Sequence, residues 1–117
     1  MRVGVDLVEV FRIRGLVDRR GERALHRLFS HEELAYALQA SRPLAFQRLA
    51  ARFAAKEAFR KALGKAVPFG EMEVVVREGA PWLRWQGRDY PLSLTHTPDL
   101  AVAVVLVDPT CPDPSAP

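Results

Sequence analysis

The sequence predicts one small α+β domain, with a mostly antiparallel sheet packed against helices. Three observations support this class. The chain has 117 residues, 49% of them hydrophobic, which suits a single core. Its pattern runs from one strand through helical segments to a half made mostly of strands. No internal repeat or second domain is visible, so we expect the domain to cover residues 1–107, with a separate tail at 108–117.

The chain begins with a predicted strand followed by helical sequence. Apolar and other residues alternate along residues 3–8, which places Asp6 on the strand face opposite Val5. Residues 11–28 have helical or partly helical patterning, and we expect Gly15 and Gly21 to interrupt it.

Two further helices have boundary signals. Ser30 followed by Glu33 forms a capping-box pattern, so a helix is expected to begin there and run to about Ala40. A break is predicted at residues 41–43. The clearest helix then runs from about residue 45 to residue 63 and ends at Gly64.

The second half predicts strands separated by turns. Strand patterns occupy residues 72–77, 82–85, 92–95 and 101–107, and breaks fall at residues 68–70, 78–81, 87–89 and 97–99. The run at 101–107 is continuously apolar and is expected to be a buried strand. The tail contains four prolines and is expected to be disordered; we assign no catalytic role to its cysteine, Cys111.

Composition and charge exclude several classes of function. A formal charge of +3 suits anionic ligands or acidic partners and does not require nucleic acid; taken alone, it favours plain solubility. No apolar run is long enough to span a membrane, and Asp6 interrupts any signal region, so we expect a cytoplasmic protein. The His and Cys spacing does not fit zinc, and no glycine-rich phosphate loop is present.

The long predicted helix carries an unusual row of cations. They are spaced four residues apart: Arg48, Arg52, Lys56 and Arg60. Like charges at this spacing cost about 0.2–0.5 kcal/mol per pair. Three explanations remain open, namely pairing with acids elsewhere, solvation, or binding of an anion.

Two carboxylates form the strongest candidate site. Asp6 lies in an apolar strand, where a charge is costly without a cation or hydrogen-bond donors. Together with Glu57 it could supply the one or two carboxylates that Mg²⁺ uses beside substrate phosphates. Glu57 also stands four residues before Lys61, the order of an ordinary helix ion pair, which is the structural alternative. His96 ends a strand, and two interpretations stay open for it: a structural hydrogen-bonding residue or a part of the site.

Three segments read together resemble a known family. They are GVDLVE at residues 4–9, RFAAKEAF at residues 52–59 followed by Lys61, and SLTH at residues 93–96 before an apolar strand. In order, spacing and length the chain resembles the 4′-phosphopantetheinyl transferases, in their short holo-acyl-carrier-protein synthase branch. The resemblance covers residues 2–107.

The resemblance implies an activity and a set of roles. Phosphopantetheine would pass from coenzyme A to a serine of acyl carrier protein, releasing 3′,5′-ADP, with Mg²⁺ and in fatty acid biosynthesis. The implied roles are Mg²⁺ binding by Asp6 and Glu57, coenzyme A binding by Arg52, Lys61, Ser93 and His96, and catalysis by Glu57, Lys61 and His96. An ordered or metal-bound water, Glu57 acting through a water, and His96 are the candidates for the base that takes the serine proton.

The resemblance also implies partners. A homotrimer with clefts between protomers is implied, which agrees with a chain too short to enclose coenzyme A alone. Arg12, Arg14 and Arg19 match the surface that docks the acidic carrier protein. Two segments depart from the family pattern: residues 79–81 lack a lysine that relatives often have, and residues 42–44 are poorer in basic residues, so the contacts to the 3′-phosphate stay open.

A different class of function also fits part of the sequence. A non-catalytic basic module that binds acidic proteins or nucleic acid would explain the arginines, but it would not explain Asp6 together with Glu57.

Overall fold

The computed structural model describes residues 1–108, which form one antiparallel sheet with helices packed on one face. The strands are β1 (Arg2–Glu9), β2 (Met72–Arg77), β3 (Ala80–Trp85), β4 (Arg88–His96) and β5 (Leu100–Val107), in the spatial order β1-β5-β4-β3-β2. The helices are α1 (Val10–Arg20), α2 (Leu25–Leu28), α3 (His31–Ala37) and α4 (Arg42–Leu63), with 3₁₀ turns at Glu22–Ala24 and Phe69–Glu71. The predicted α+β class is confirmed. The predicted tail, apart from Asp108, lies outside the described residues.

The helix boundaries differ from those predicted. The expected interruption at Gly15 is wrong, because α1 runs through it and ends at Gly21, whose φ is 76°. The capping box is confirmed: Ser30 Oγ accepts a hydrogen bond from the Glu33 amide, and Glu33 Oε1 accepts one from the Ser30 amide. Helix α4 begins at residue 42, three residues before the predicted start, because a proline is compatible with the first helical turn.

The two hairpins turn more tightly than predicted. Each uses two residues with positive φ, Glu78 and Gly79 in the first and Gln86 and Gly87 in the second. Such two-residue turns match the twist of the flanking strands. Strands β3 and β4 therefore begin directly after each glycine, inside the segments predicted as turns.

Strand β1 lies unusually close to α4. A Cβ placed on Gly4 would lie 2.0 Å from the carbonyl oxygen of Ala58, so only glycine permits this approach. Alternate residues of a strand share a face, so Asp6 faces the helix as Gly4 does. The small residue in the first motif thereby positions the carboxylate two residues later.

The other face of β1 is apolar and exposed. Val3, Val5 and Leu7 are 62%, 55% and 57% exposed. In the register of the sheet they lie beside residues 106, 104 and 102 of β5, which are only half-buried. Strand β5 exists as predicted, but its expected complete burial is wrong, since only its residues at 101, 103, 105 and 107 are buried.

Candidate active site

The centre of the candidate site is an ion pair between β1 and α4. Lys61 Nζ lies 2.7 Å from Asp6 Oδ1 and also donates a hydrogen bond to the Val5 carbonyl at 3.3 Å. The Asp6 side chain is 14% exposed, whereas the Lys61 side chain is 58% exposed. The cation that the sequence analysis required for Asp6 is therefore supplied by Lys61 on the long helix.

Glu57 lies one helical turn before Lys61 and has a cation of its own. Its Oε1 atom lies 3.4 Å from Arg60 Nη1, and both side chains are about 30% exposed. The ordinary helix pair between Glu57 and Lys61 is replaced by two other pairs, Lys61 with Asp6 and Arg60 with Glu57. Asp6 thus lies at the contact of β1 with α4, and Glu57 lies on α4 one turn before the lysine that pairs with Asp6.

The donors present here fit Mg²⁺ bound together with a phosphate. Asp6 and Glu57 supply two hard carboxylate oxygens, and an ammonium group already lies against Asp6 where a cation is favourable. Within residues 1–108 no group of three or more His, Cys, Asp or Glu side chains could hold a metal on its own. With two carboxylates from the chain, a Mg²⁺ ion here would take its remaining ligands from substrate oxygens and water, as it commonly does in phosphate sites.

The row of cations on α4 has several different partners. Lys56 is fully buried and pairs with Glu33 at 2.7 Å, so pairing with an acid explains this member. The guanidinium groups of Arg48 and Arg52 each lie 4.4 Å from the centre of the Tyr36 ring. Burial lowers the pKa of Arg52, and its Nε atom is buried without a hydrogen-bond partner.

Arg52 does not join Asp6 within one chain. It stacks against α3, while Glu57 lies about 140° further around α4 by helix geometry. Its predicted contact with coenzyme A stays a prediction.

The third motif divides between the two faces of the sheet. His96 faces the helices, where its Nδ1 atom lies 2.8 Å from Gln47 Oε1. An amide oxygen can only accept a hydrogen bond, so Nδ1 carries the proton and Nε2 is left for another partner. Ser93 pairs with Val104 on the opposite, exposed face. The chain alone therefore does not bring Ser93 to Asp6.

The predicted partner-binding arginines lie on two different surfaces of α1. Arg12 and Arg19 border one cavity of about 290 Å³ between α1 and α4. Arg12 lies over the ring of Phe53 at 5.4 Å, whereas Arg14 lies over Phe46 at 5.5 Å. Arg14 is about 160° from Arg12 around α1, so it belongs to another surface.

A larger basic groove adjoins these residues and was missed in the sequence. Its volume is about 820 Å³, and its lining combines cations with apolar side chains: Leu16, Arg20, Arg23, Ala24, His26, Arg27 and Leu28. The signal that could have found it is the density of arginine between residues 19 and 27. The change of direction after α1, which brings these side chains together, is not visible in a charge count.

Comparisons with known proteins agree with these observations. The family model of the 4′-phosphopantetheinyl transferase superfamily matches residues 2–105. A holo-[acyl-carrier-protein] synthase of Thermus thermophilus is 42% identical over 116 residues, covering 91% of each chain.

Two solved structures are similar over nearly the whole chain. The holo-(acyl-carrier-protein) synthase of Bacillus anthracis, in complex with CoA (3′,5′-ADP), has a TM-score of 0.76 and 31% identity, covering 89% of this chain and 92% of that one. That of Helicobacter pylori, in complex with coenzyme A, has a TM-score of 0.78 and 25% identity, covering 91% and 99%. Within residues 1–108, none of the helices has the length and apolar character needed to cross a membrane.

Proposed function

The chain belongs to the 4′-phosphopantetheinyl transferase superfamily, and from this premise we propose how it acts as a holo-[acyl-carrier-protein] synthase. The observation that carries the proposal is the pair of Asp6 with Lys61 where β1 contacts α4, with Glu57 one helical turn before Lys61. The substrates are coenzyme A and the serine of an acyl carrier protein, and the reaction supplies the holo carrier for fatty acid biosynthesis.

The reaction is a phosphoryl-group displacement. The serine oxygen forms a bond to the β-phosphorus of coenzyme A, and the bond from that phosphorus to the bridging oxygen breaks. The bridging oxygen leaves with 3′,5′-ADP, and the serine proton passes to a base. Such reactions require mainly positioning and neutralisation of charge.

The side chains at the contact of β1 with α4 supply both requirements. Asp6 and Glu57 would hold Mg²⁺, which when bound supplies charge neutralisation on the diphosphate. Lys61 is exposed beyond Asp6, so its ammonium group can turn to a phosphate oxygen as a mobile point charge.

Two side chains of the site are candidates for the base. Glu57 could take the serine proton through a water. His96 could take it at Nε2, since Gln47 holds the other ring nitrogen.

We propose that the complete site forms between copies of the chain in a homotrimer. Ser93 lies on the exposed sheet face and Arg52 on the α3 side of α4, so neither joins Asp6 within one chain. The face formed by Val3, Val5 and Leu7 is apolar and open, as expected of a surface that packs against another copy. A second copy there would also contact Ser93.

The trimer can be tested by placing a charge on this face. We expect Val5→Glu to convert the trimer to monomers and to reduce transfer, because a buried unpaired carboxylate is costly. Sedimentation velocity and transfer rates would be measured on the same samples. Val76→Glu is the matched control, since Val76 is 58% exposed on the far edge strand. A wild-type chain that is monomeric and fully active would refute the trimer.

We propose that the carrier protein docks on α1 and the adjoining basic groove. Arg12 and Arg19 border a cavity that lies one turn of α4 from Glu57, because Phe53 lines it. The groove beside it adds Arg20, Arg23 and Arg27 around apolar side chains. Such a surface suits an acidic helix with apolar residues, and it would bring the serine towards Glu57.

Charge reversal tests this docking surface. We expect Arg12→Glu or Arg19→Glu to raise the carrier KM about tenfold at low salt, and less at physiological salt, because such contacts are screened. The KM for coenzyme A should change little. Arg14→Glu is the matched variant, and a smaller effect is expected because Arg14 faces Phe46. Equal effects at the three positions would contradict docking at the cavity, and would support the sequence prediction that includes Arg14.

One assay separates the transferase from the basic binding module. Apo carrier protein, coenzyme A and Mg²⁺ are incubated with the chain, and the carrier is weighed by mass spectrometry. The transferase adds phosphopantetheine to the carrier serine and releases 3′,5′-ADP. A carrier that is bound but never modified would favour the binding module.

A further inference from the structure

A continuous stack of side chains connects the proposed docking surface to Glu57. The guanidinium of Arg12 lies 5.4 Å from the centre of the Phe53 ring, and Phe53 stacks on Phe69 at 5.2 Å with 25° between the planes. Arg60 lies 5.2 Å from the centre of the same Phe69 ring. Arg60 is therefore held on an aromatic platform at the edge of the site, beside Glu57.

Each carboxylate of the site is paired with a different cation. Asp6 pairs with Lys61 at 2.7 Å, and Glu57 pairs with Arg60 at 3.4 Å. A metal ion that takes both carboxylates must compete with both cations. The two cations then need new anions, and the phosphates of coenzyme A are the anions that arrive with the metal.

We infer that Arg60 is a further substrate-binding residue of this reaction. Its guanidinium group exchanges its partner Glu57 for a phosphate of coenzyme A. This inference rests on the proposed metal-binding role of Glu57. Arginine is suited to the exchange because its planar group stacks on Phe69 while its N–H groups can bind either a carboxylate or a phosphate. The platform keeps the guanidinium beside the site whichever anion it binds.

The exchange couples the binding of metal and coenzyme A. A metal bound to Glu57 would release Arg60 from that carboxylate. A phosphate bound to Arg60 would remove the cation that competes with the metal for Glu57, so each ligand favours binding of the other. A residue that only stabilised the helix would not affect the two ligands in opposite directions. The sign of each effect therefore distinguishes substrate binding from a structural role.

The test measures binding rather than turnover. Mn²⁺ binding is followed by the electron paramagnetic resonance signal of the free ion, with and without coenzyme A, and coenzyme A binding is followed by calorimetry in Mg²⁺. In Arg60→Gln, Mn²⁺ alone should bind about two- to fivefold more tightly, because Glu57 loses a competing cation. Coenzyme A should bind about tenfold more weakly, because a charged contact to phosphate is lost.

Two variants serve as controls. Arg60→Lys keeps the charge and should recover part of the coenzyme A affinity. Arg84→Gln removes an exposed arginine that pairs with Asp89 on β4 and should change neither affinity.

Each outcome has a defined meaning. If wild type binds Mn²⁺ and Arg60→Gln changes neither affinity, or weakens both, the exchange is refuted while the metal site stands. If wild type binds no Mn²⁺ even with coenzyme A, both the metal site and the exchange are refuted.

Discussion

Replacing Asp6 by Asn, or Glu57 by Gln, is expected to lower kcat/KM for transfer by about 10²- to 10³-fold. Each change keeps the shape of the side chain and removes one negative charge from the site. The lost charge weakens metal binding at the diphosphate, where charge neutralisation acts on the transition state. The fold should survive, since both ion pairs of the site are partly exposed and contribute about 1 kcal/mol or less each.

The measurement combines kinetics with stability. Transfer to the carrier is followed by mass spectrometry over a range of Mg²⁺ concentrations, and the free energy of unfolding is taken from urea titrations. Asp89→Asn is the matched control, because Asp89 is also a carboxylate paired with arginines, and its pKa is held below its usual range chiefly by a hydrogen bond from Arg84. It lies at the start of β4, outside the site, so it should retain transfer.

Two results would contradict the metal assignment. One is a wild-type enzyme that remains active in excess chelator without divalent ions. The other is an Asp6→Asn variant with normal transfer, since Asp6 is the proposed metal ligand at the contact of β1 with α4.

The sequence alone predicted those parts of the fold and site that depend on neighbouring residues. The capping box at Ser30 and Glu33 is a local pattern, and the structure contains it. The alternation along β1 correctly placed Asp6 opposite Val5, because strand faces follow from a period of two. Three motifs from separate parts of the chain carried the family resemblance, and periodicity alone could not have connected them.

The remaining features depend on contacts between distant segments. Helix spacing suggested Lys61 as the partner of Glu57. Lys61 instead pairs with Asp6, which is 55 residues away in the chain. For the row of cations on α4, the sequence left pairing, solvation and anion binding open, and the fold shows that its members contact different side chains. The exposed apolar face of β1 was also not predictable, because a period of two does not say which face meets the helices.

The member of that row with the most demanding environment is Lys56. Its ammonium group donates hydrogen bonds to Glu33 Oε1 at 2.7 Å and to the Leu28 carbonyl at 2.6 Å, and neither charged side chain is exposed. Glu33 also accepts from the amides of Ser30 and Val74. This pair therefore joins α2, the start of α3, β2 and α4 at one point. Burial lowers the pKa of Lys56 in spite of the carboxylate beside it.

Lys56→Met is expected to lower the free energy of unfolding by about 3–5 kcal/mol, because it leaves the Glu33 charge buried without its cation. Urea titrations at one fixed chain concentration would measure it, since assembly makes apparent stability depend on concentration. Lys61→Met is the matched control on the same helix. It also breaks a lysine–carboxylate pair of 2.7 Å, but the lysine is exposed, so a loss of about 1 kcal/mol or less is expected.

A second substitution separates two effects of Lys56→Met: the unpaired charge of Glu33 and the lost packing of the Lys56 side chain. Glu33→Gln in the Lys56→Met background removes the buried charge and keeps one amide oxygen that can accept from Ser30. Its NH₂ group then faces the Val74 amide, which loses its acceptor, so only part of the loss should be recovered. No recovery would mean that the loss comes from packing or from the unpaired Val74 amide rather than from charge. Lys56 directly precedes Glu57, so a stable double variant also tests whether the pair orients the site. If the pair serves stability alone, the double variant should bind metal and transfer phosphopantetheine as wild type does. If it also orients α4, Glu57 should be displaced, and Mn²⁺ binding should weaken even in a chain whose stability has been restored.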